Sequence, residues 1–326
     1  MEGRTLIEKR VAKIKGVHYF GGMRAALPVL VAAATVAGCG PERHDRPRIG
    51  VTLPTDSGAL TAELRRGMAP VADSLQLDVR VVTAGGDRAR QAAQVDSFAS
   101  QRVAAILIDP IDPTALGDAI TRAARARIPV FTMVTPTADG DTNDIAAHIG
   151  SDDRMAGELA GWYVGHRLNG GGSIVILDQP GAPAVRDRVA GIRLALTRVP
   201  NVRIVASPAV DPATRETARR RTASLLTADQ RVDAIVGTSD ELALGALDAV
   251  QASAKSDVFI VGFGADPEAR AAIARGSPLV AELVPDAITI GRYALLVAAS
   301  RLRGNVVMRS VPVRVRLMDR DSLVAP

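Results

Sequence analysis

Acidic and hydroxyl side chains follow two apolar runs of this sequence, at positions where a polar solute could be bound. Asp56 and Ser57 come soon after the run at residues 49–53, and Ser239 follows the run at residues 234–237. Carboxylates accept hydrogen bonds, and hydroxyls both donate and accept them, so this set suits a hydroxylated or cationic ligand. The same residue types are preferred N-caps of helices. Ligand contact and helix capping therefore both stay open for these three residues.

The residues that catalysis or metal binding would need are not assembled in the sequence. No Gly-x-Ser-x-Gly elbow is present, and the glycine run at residues 170–172 precedes a strand, whereas a phosphate-binding loop follows one. The four histidines are not at metal-ligand spacing. The single cysteine, Cys39, can form neither an internal disulfide nor a multi-cysteine zinc site. We therefore predict no enzymatic activity, no metal and no cofactor.

Short apolar runs alternate with segments of helical periodicity from residue 48 onward. Helical spacing of three and four is clear at residues 59–75 and 114–126. The predicted strands form two series, at residues 49–53, 79–82, 104–108 and 130–134 and at residues 174–177, 202–205, 234–237 and 258–261. Repeated strand–helix–strand units predict parallel sheets covered by helices on both faces. Two such series predict two α/β lobes, with a ligand cleft outside the carboxyl ends of their strands.

The basic residues are predicted to form solvated helix faces rather than a nucleic-acid site. The formal net charge is +5, but Arg and Lys are spread along the helical segments and interleave with Asp and Glu. Aromatic residues make up only 3% of the chain, so no aromatic-rich basic patch accompanies them. Two of these aromatics, Trp162 and Tyr163, fall in mid-helix and are predicted to pack in the core.

The amino-terminal segment is predicted to be an export signal. Residues 25–38 (AALPVLVAAATVAG) are apolar, follow basic residues, and are too few to span a bilayer as a helix. They end in residues 36–39 (VAGC), which resemble the bacterial lipobox. The resemblance implies lipidation of Cys39 and removal of residues 1–38. Residues 39–47 are predicted to be a polar, proline-containing tether, so that the protein is exported and lipid-anchored on the extracytoplasmic side of the membrane.

Five motifs, in chain order, resemble those of the type I periplasmic sugar-binding proteins, the ribose-binding group especially. They are residues 108–116 (IDPIDPTAL), 148–153 (HIGSDD), 186–191 (RDRVAG), 239–246 (SDELALGA) and 261–264 (VGFG). The resemblance runs from about residue 48 to residue 317. It implies two Rossmann-like, doubly wound parallel-sheet lobes joined by a three-crossing hinge. The interlobe crossings are expected near Ser151, Glu282 and Val311.

On this map the amino-terminal lobe comprises residues 47–151 plus 283–311. The carboxyl-terminal lobe comprises residues 152–282 plus 312–320.

The resemblance also assigns ligand-binding positions, several of which differ here from the family pattern. Arg188 is kept, whereas Asp109 and Ser239 replace asparagines and Glu282 replaces a hinge glutamine. The predicted ligand contacts are Arg188, Asp109, Ser239, Glu282, Asp56 and Ser57. Alternatives from the residue types stay open: Arg188 could form a structural ion pair, and Asp109 and Glu282 could cap a helix or bridge the hinge.

Other departures bear on the solute itself. The first-strand loop, residues 55–61, lacks the family's two aromatics, Val134–Thr135 replaces a charged Asp-Arg pair, and Gly264 replaces an aspartate. Ring stacking and charged hydrogen bonds to a sugar are therefore largely absent. We expect a small polar solute, sugar-like or a polyol, that is not a typical free pentose or hexose.

The resemblance implies a monomeric solute-binding lipoprotein that delivers its solute to an ABC permease of the sugar-uptake type by hinge closure. An alternative is a receptor domain that presents its ligand state to a membrane signalling partner. A transcription-factor core of the same fold would need a DNA-binding helix-turn-helix before residue 48, where the export signal stands.

Overall fold

The computed structural model describes residues 46–137, 143–228, 231–253, 255, 257–264 and 266–324. Within them the strands are β1 (Arg48–Leu53), β2 (Asp78–Thr83), β3 (Ala105–Ile108), β4 (Val130–Met133), β5 (Ile145–Ser151), β6 (Gly171–Leu177), β7 (Asn201–Ala206), β8 (Ala234–Gly237), β9 (Phe259–Phe263), β10 (Leu279–Pro285), β11 (Ser310–Val313) and β12 (Val315–Asp319). The helices are α1 (Ala59–Ser74), α2 (Arg88–Ser100), α3 (Gly117–Arg125), α4 (Asp153–Arg167), α5 (Pro183–Leu196), α6 (Arg215–Thr227), α7 (Asp240–Gln251), α8 (Pro267–Ala274), α9 (Ala287–Leu302) and α10 (Arg320–Val324).

The strands form two six-stranded sheets. The first sheet has the order β11-β5-β4-β3-β1-β2 and is parallel throughout. The second has the order β12-β10-β9-β8-β6-β7, and its edge strand β12 runs antiparallel to β10. Every residue of β3, β4 and β8 is buried, which explains why these strands are continuous apolar runs rather than alternating ones. The predicted fold of two doubly wound α/β sheets is confirmed.

Each sheet has a hydrophobic core on both faces, because successive side chains of a strand point to opposite sides. In β3, Ala105 and Leu107 pack with α1 and α9, whereas Ile106 and Ile108 pack with α2 and α3. The second sheet repeats this arrangement, with α4 and α5 on one face and α6, α7 and α8 on the other.

The prediction that Trp162 packs in the core is wrong. Its side chain is 57% exposed on α4 and stacks on His166 with ring centroids 5.5 Å apart. The helix turns its small residues, among them Ala156 and Ala160, inward instead. Tyr163, one residue further along, is partly buried against the second sheet's core.

Three passages of the chain connect the two sheets, as the three-crossing hinge requires. They lie at Asp152 between β5 and α4, at Asp286 between β10 and α9, and at Arg314 between β11 and β12. The adjoining helices belong to different cores, since α4 packs on the second sheet and α9 on the first.

Two lobe boundaries expected from the sequence fall inside strands. The 282/283 boundary lies within β10, which remains paired with β12 up to Pro285. The 311/312 boundary lies within β11, which remains paired with β5 up to Val313. The passages at Asp286 and Arg314 follow the ends of these strands.

Helices α4 and α5 pack at unusually close range through glycine. A Cβ at Gly157 would collide with the main-chain carbonyl of Arg188, and one at Gly191 would collide with the carbonyl of Arg154. This contact holds the first turn of α4, including Asp153, against the first turns of α5.

We expect Gly191→Ala to lower the free energy of unfolding by about 1–3 kcal/mol, the cost of overpacking a close contact. Urea denaturation measures the change. Gly181→Ala is the matched control because a Cβ there would meet no atom within 4 Å, so its effect should stay within about 0.5 kcal/mol. Helix propensity alone would make Ala at position 191 stabilising, and that outcome would contradict the packing argument.

Candidate functional site

The carboxyl edges of the two sheets meet at the three passages. Strand β11 ends at Val313 and β12 begins at Val315, which pairs with Pro285 at the carboxyl end of β10. Polar residues that follow the strands of both sheets are therefore gathered on the two sides of the passages. In open α/β sheets, ligands bind outside the carboxyl ends of the strands, and this edge is the candidate site.

Arg188 is held at this edge by three interactions of its side chain. Its Nε donates to Asp153 Oδ1 at 2.8 Å, and its Nη1 donates to the Thr238 carbonyl at 2.8 Å. The guanidinium carbon lies 5.1 Å from the ring centroid of Phe263, a cation–π arrangement. The side chains of Arg188 and Asp153 are 23% and 20% exposed. Two of the five N–H donors bind described residues, so within the described part of the chain three remain for a ligand.

The ion-pair alternative for Arg188 is thus realised in the structure, and it does not conflict with ligand contact. Burial raises the pKa of the Asp153 carboxyl, and the charge of Arg188 acts in the opposite direction. The arginine is oriented by neighbours within the second sheet's own helices and strands. A side chain fixed in this way loses little further freedom when it binds a solute.

Ser239 and Asp240 begin α7, directly after β8. Ser239 is the N-cap, and its Oγ lies 3.5 Å from the main-chain nitrogen of Leu242. Asp240 Oδ1 accepts a hydrogen bond from the Asp266 main-chain nitrogen at 3.1 Å. A Cβ at Gly264 would collide with the Asp240 carboxylate. The glycine that replaces the family's aspartate therefore leaves space that Asp240 uses.

Glu282 lies fully buried beneath the first turn of α7. It pairs in register with Gly262 of β9, where a Cβ would stand only 2.8 Å from Glu282 Oε1. Neither carboxylate oxygen accepts a hydrogen bond from a described N–H or O–H group. Burial, followed by the negative charge of Asp240, raises the pKa of Glu282 to about 9. The carboxyl is therefore protonated at neutral pH and can donate to Asp240.

Asp109 is the corresponding buried acid at the edge of the first sheet. It follows β3 and is 2% exposed. Burial raises its pKa to about 7, although the hydroxyl and main-chain N–H of Thr135 both donate to it and lower the pKa. Its Oδ1 has no hydrogen-bond partner among the described residues. Gln91 holds the turn, since its Nε2 donates to the Asp109 carbonyl at 2.8 Å and its Oε1 accepts from Ile111 N at 2.9 Å.

The residue before Thr135 carries backbone strain. Val134 has φ of 58°, in the left-handed region that β-branched residues rarely adopt. This conformation delivers the Thr135 donors to Asp109. Strain of this kind concentrates at functional sites, where the surrounding structure over-determines it.

Asp56 and Ser57 stand apart from the other predicted site residues. Both are exposed, and Asp56 Oδ1 accepts a 3.3 Å hydrogen bond from Arg65 while its side chain is 82% exposed. Neither caps α1, whose N-cap is Gly58 without a side-chain hydrogen bond. The capping alternative is therefore wrong for both residues, and their role as ligand contacts stays a prediction.

Several residues at this edge were missed in the sequence. Asp153 and Phe263 flank Arg188. Both lie in quoted motifs, 148–153 and 261–264, but neither was assigned to the site, although an acid next to a chain crossing was a usable signal. Asp178 Oδ1 and Ser207 Oγ, after β6 and β7, are buried without hydrogen-bond partners among the described residues. Nothing in the local sequence distinguishes these two from ordinary loop residues.

Two further expectations concern metals and the membrane. Over the described ranges, no group of three or more His, Cys, Asp or Glu side chains is placed to hold a metal ion. In the same ranges, none of the helices combines the length and apolar character needed to cross a bilayer. Cys39, the export signal 1–38 and most of the tether 39–47 lie outside the described residues.

Comparison with known proteins places the chain among binding proteins of this architecture. The profile described as periplasmic binding protein domain matches residues 49–305. The ribose import binding protein of Salmonella typhimurium is 29% identical over 299 residues, which are 91% of this chain and 98% of that protein. The xylitol-binding protein of Mycolicibacterium smegmatis is 29% identical over 252 residues, 77% of this chain and 70% of that protein.

A solved structure agrees with these sequence matches. An arabinose-binding protein from Geobacillus stearothermophilus superposes with a TM-score of 0.77 over 86% of this chain and 98% of that chain, at 19% sequence identity. At that identity the superposition shows a shared fold.

The buried acid Glu282 should make stability depend on pH. The folded chain keeps this proton up to about pH 9, whereas the unfolded chain releases it near the ordinary value of 4.5. The contribution of this group to the free energy of unfolding is fully present below the unfolded pKa and is lost as pH rises toward the folded pKa. The free energy of unfolding falls by at most about 1.4 kcal/mol per pH unit on this account. Glu282→Gln removes this titration, so between pH 5 and 8 its free energy of unfolding should fall less than that of the wild type.

Urea denaturation at several pH values measures both slopes. Glu158→Gln on α4 removes an acid at a less buried position and should keep the wild-type slope. Parallel slopes for the wild type and Glu282→Gln would contradict the assignment of a neutral carboxyl.

Proposed function

Since the chain belongs to the periplasmic binding protein family, we propose that it captures a small polar solute outside the cytoplasm and delivers it to an ABC importer of the sugar-uptake type. The observation that carries the proposal is the gathering of polar side chains from both sheets around the three passages. Arg188, Ser239 and Glu282 come from the second sheet, and Asp109 comes from the first. A solute bound at this edge would lie between the two lobes.

The proposed mechanism is hinge closure about the passages. Asp152 and Asp286 each cap the helix that follows, with Oδ1 accepting from Met155 N at 2.9 Å and from Thr289 N at 3.2 Å. Because both helix starts are fixed, rotation is confined to a few backbone torsions, as in other hinge motions. A solute that binds the closed form more tightly than the open form shifts the population toward closure.

Arg188 is the proposed principal contact. Its three unused N–H groups suit hydroxyl or carboxylate oxygens of a solute, while Asp153 and Phe263 hold the guanidinium in place. Ser239 can donate through its hydroxyl, and Asp240 beside it can accept. Asp109 and Glu282, being buried acids, are proposed to support this polar layer from beneath.

The solute class follows from what the described loop after β1 lacks. Residues 55–61 contain no aromatic side chain that could stack on a sugar ring. Stacking of a ring on an aromatic side chain contributes on the order of 1–3 kcal/mol. We therefore propose a polyol, an amino-substituted or a modified sugar-like solute rather than a free pentose or hexose.

Thermal-shift screening of the protein against polyols, amino sugars and common sugars should reveal stabilisation by members of the first two groups, because a ligand specific for the folded state raises its stability. Calorimetric titration of the best solute should then show that Arg188→Ala weakens binding by about 1.5–3 kcal/mol, the range for hydrogen bonds to charged groups. The variant also leaves Asp153 without its ion-pair partner, so binding is measured where the variant is folded.

The matched control is Arg186→Ala, two residues earlier on α5, where the exposed guanidinium donates to the Pro180 carbonyl at 3.2 Å. This variant should bind like the wild type. Unchanged affinity of folded Arg188→Ala would assign Arg188 a purely structural role. Micromolar binding of ribose, galactose, glucose or xylose would overturn the proposed solute class.

Export and lipid anchoring through Cys39 are part of the proposal. They are supported by the apolar run at residues 25–38 and by the small residues before the cysteine. The thiol of Cys39 would carry the lipid, and residues 40–47 would separate the folded domain from the membrane.

Metabolic labelling with an acyl-chain probe should mark the wild type and not Cys39→Ser, because the lipid is attached through the cysteine sulfur. Membrane fractionation should show release of the variant from the anchored pool. Thr35→Ser, in the same apolar run, keeps the cysteine and should label normally. Equal labelling of Cys39→Ser would refute the lipobox assignment.

A further inference from the structure

The segment between α9 and β11 is exposed, basic and apolar. Residues 301–310 (RLRGNVVMRS), here called the 301–310 segment, are all exposed except the half-buried Val307, and contain three arginines and no acid. Val306 is 99% exposed and Met308 is 66% exposed. Exposed apolar side chains that are grouped and flanked by polar residues, rather than scattered singly, mark contact surfaces.

The segment lies at the amino edge of the first sheet, opposite the candidate site. Val306 and Val307 line a groove of about 880 Å³ together with residues that precede or begin β3, β4 and β5, such as Ala104 and Ile145. The Ala104 main-chain nitrogen donates to the Arg48 carbonyl at 2.7 Å. A residue that lines the groove is thus bonded to the first residue of β1.

Among the described residues, the charge of this edge is mainly positive. Arg301 and Arg303 of the segment, and Arg127 on the facing α3–β4 turn, are exposed and form no ion pair with another described residue. The acid that lines the groove, Asp144, accepts a 2.6 Å hydrogen bond from Thr121 Oγ1. Two further aspartates, at positions 139 and 141 of the sequence, lie outside the described residues.

The length of the tether indicates what faces this edge. Eight residues, 40–47, separate Cys39 from Arg48, and a fully extended chain spans at most about 3.6 Å per residue, so about 29 Å. Strand β11 lies four strand positions from β1 in the sheet order, which is about 19 Å at the usual strand spacing. A protein anchored through Cys39 can therefore bring the 301–310 segment to the bilayer.

We propose that the 301–310 segment is a membrane-contact surface that rests on anionic phospholipid, with Val306 and Met308 in the interfacial layer and Arg301 and Arg303 at the headgroups. The proposal rests on the export and anchoring proposed above. Apolar side chains flanked by arginine are the combination that peripheral membrane contacts use. Contact here leaves the carboxyl edges of the sheets, at the other end of the first sheet, open to solute.

Vesicle cosedimentation of the chain from Gly40 to Pro326, which carries no lipid, tests the surface separately from the anchor. It should bind vesicles of mixed phosphatidylcholine and phosphatidylglycerol, bind less as salt is raised, and bind pure phosphatidylcholine weakly. Each arginine near an anionic surface contributes roughly fivefold, so Arg301→Gln with Arg303→Gln should lower the partition coefficient about 25-fold. Val306→Asp with Met308→Asp should abolish most of the binding.

The matched control is Leu194→Asp with Val205→Asp, which changes two apolar side chains, each 37% exposed, on the second sheet's layers. It should bind like the wild type. Equal loss in this control, no binding to anionic vesicles, or self-association through the segment in size-exclusion chromatography would overturn the proposal. Failure of Cys39 labelling with intact vesicle binding would refute the anchor and leave the surface standing.

Discussion

Within the described part of the chain, the backbone passes between the two sheets where their carboxyl edges meet, and the rest of the molecule follows from that constraint. Over the described residues, the chain passes between them at Asp152, Asp286 and Arg314, and each passage adjoins the carboxyl end of a strand. Polar residues that terminate strands are thereby concentrated on both sides of one gap. The amino edge of the first sheet lies at the opposite ends of its strands. The candidate solute site is thus confined to one end of each sheet.

Electrostatics at the candidate site depends on carboxyl groups that burial keeps neutral or nearly so. Glu282 has room because its partner in register is Gly262, and it is protonated because Asp240 and the surrounding apolar side chains disfavour a second negative charge. The Thr135 donors lower the pKa of Asp109 and so offset part of the rise that burial causes. Unpaired buried charges would cost several kcal/mol each. The structure avoids this cost by retaining protons, which makes the site sensitive to pH.

The fold could be predicted because its central strands are buried on both faces. Runs such as AILI in β3 and AIVG in β8 have no polar position, and helices with apolar spacing separate them. The positions of Arg188, Ser239 and Glu282 followed from motif resemblance. Their surroundings could not be predicted from the motifs. Glu282 lies near Asp240 because of the register between β9 and β10 and because α7 packs over these strands. Trp162 was misplaced for a related reason: which face of α4 is buried is set by glycine and alanine contacts with α5.

The contacts between the two lobes leave closure to the solute. Arg316 on β12 donates to Glu63 on α1 at 3.0 Å, and this pair joins elements of different sheets. Their side chains are 51% and 24% exposed, and ion pairs in such surroundings contribute about 0–1 kcal/mol. The better-buried pair, Arg188 with Asp153, lies within the second sheet's own helices and is the same whichever way the lobes rotate. A shift between conformers that differ by a few kcal/mol then requires a ligand with differential affinity, since the Arg316–Glu63 pair is too weak to fix either form.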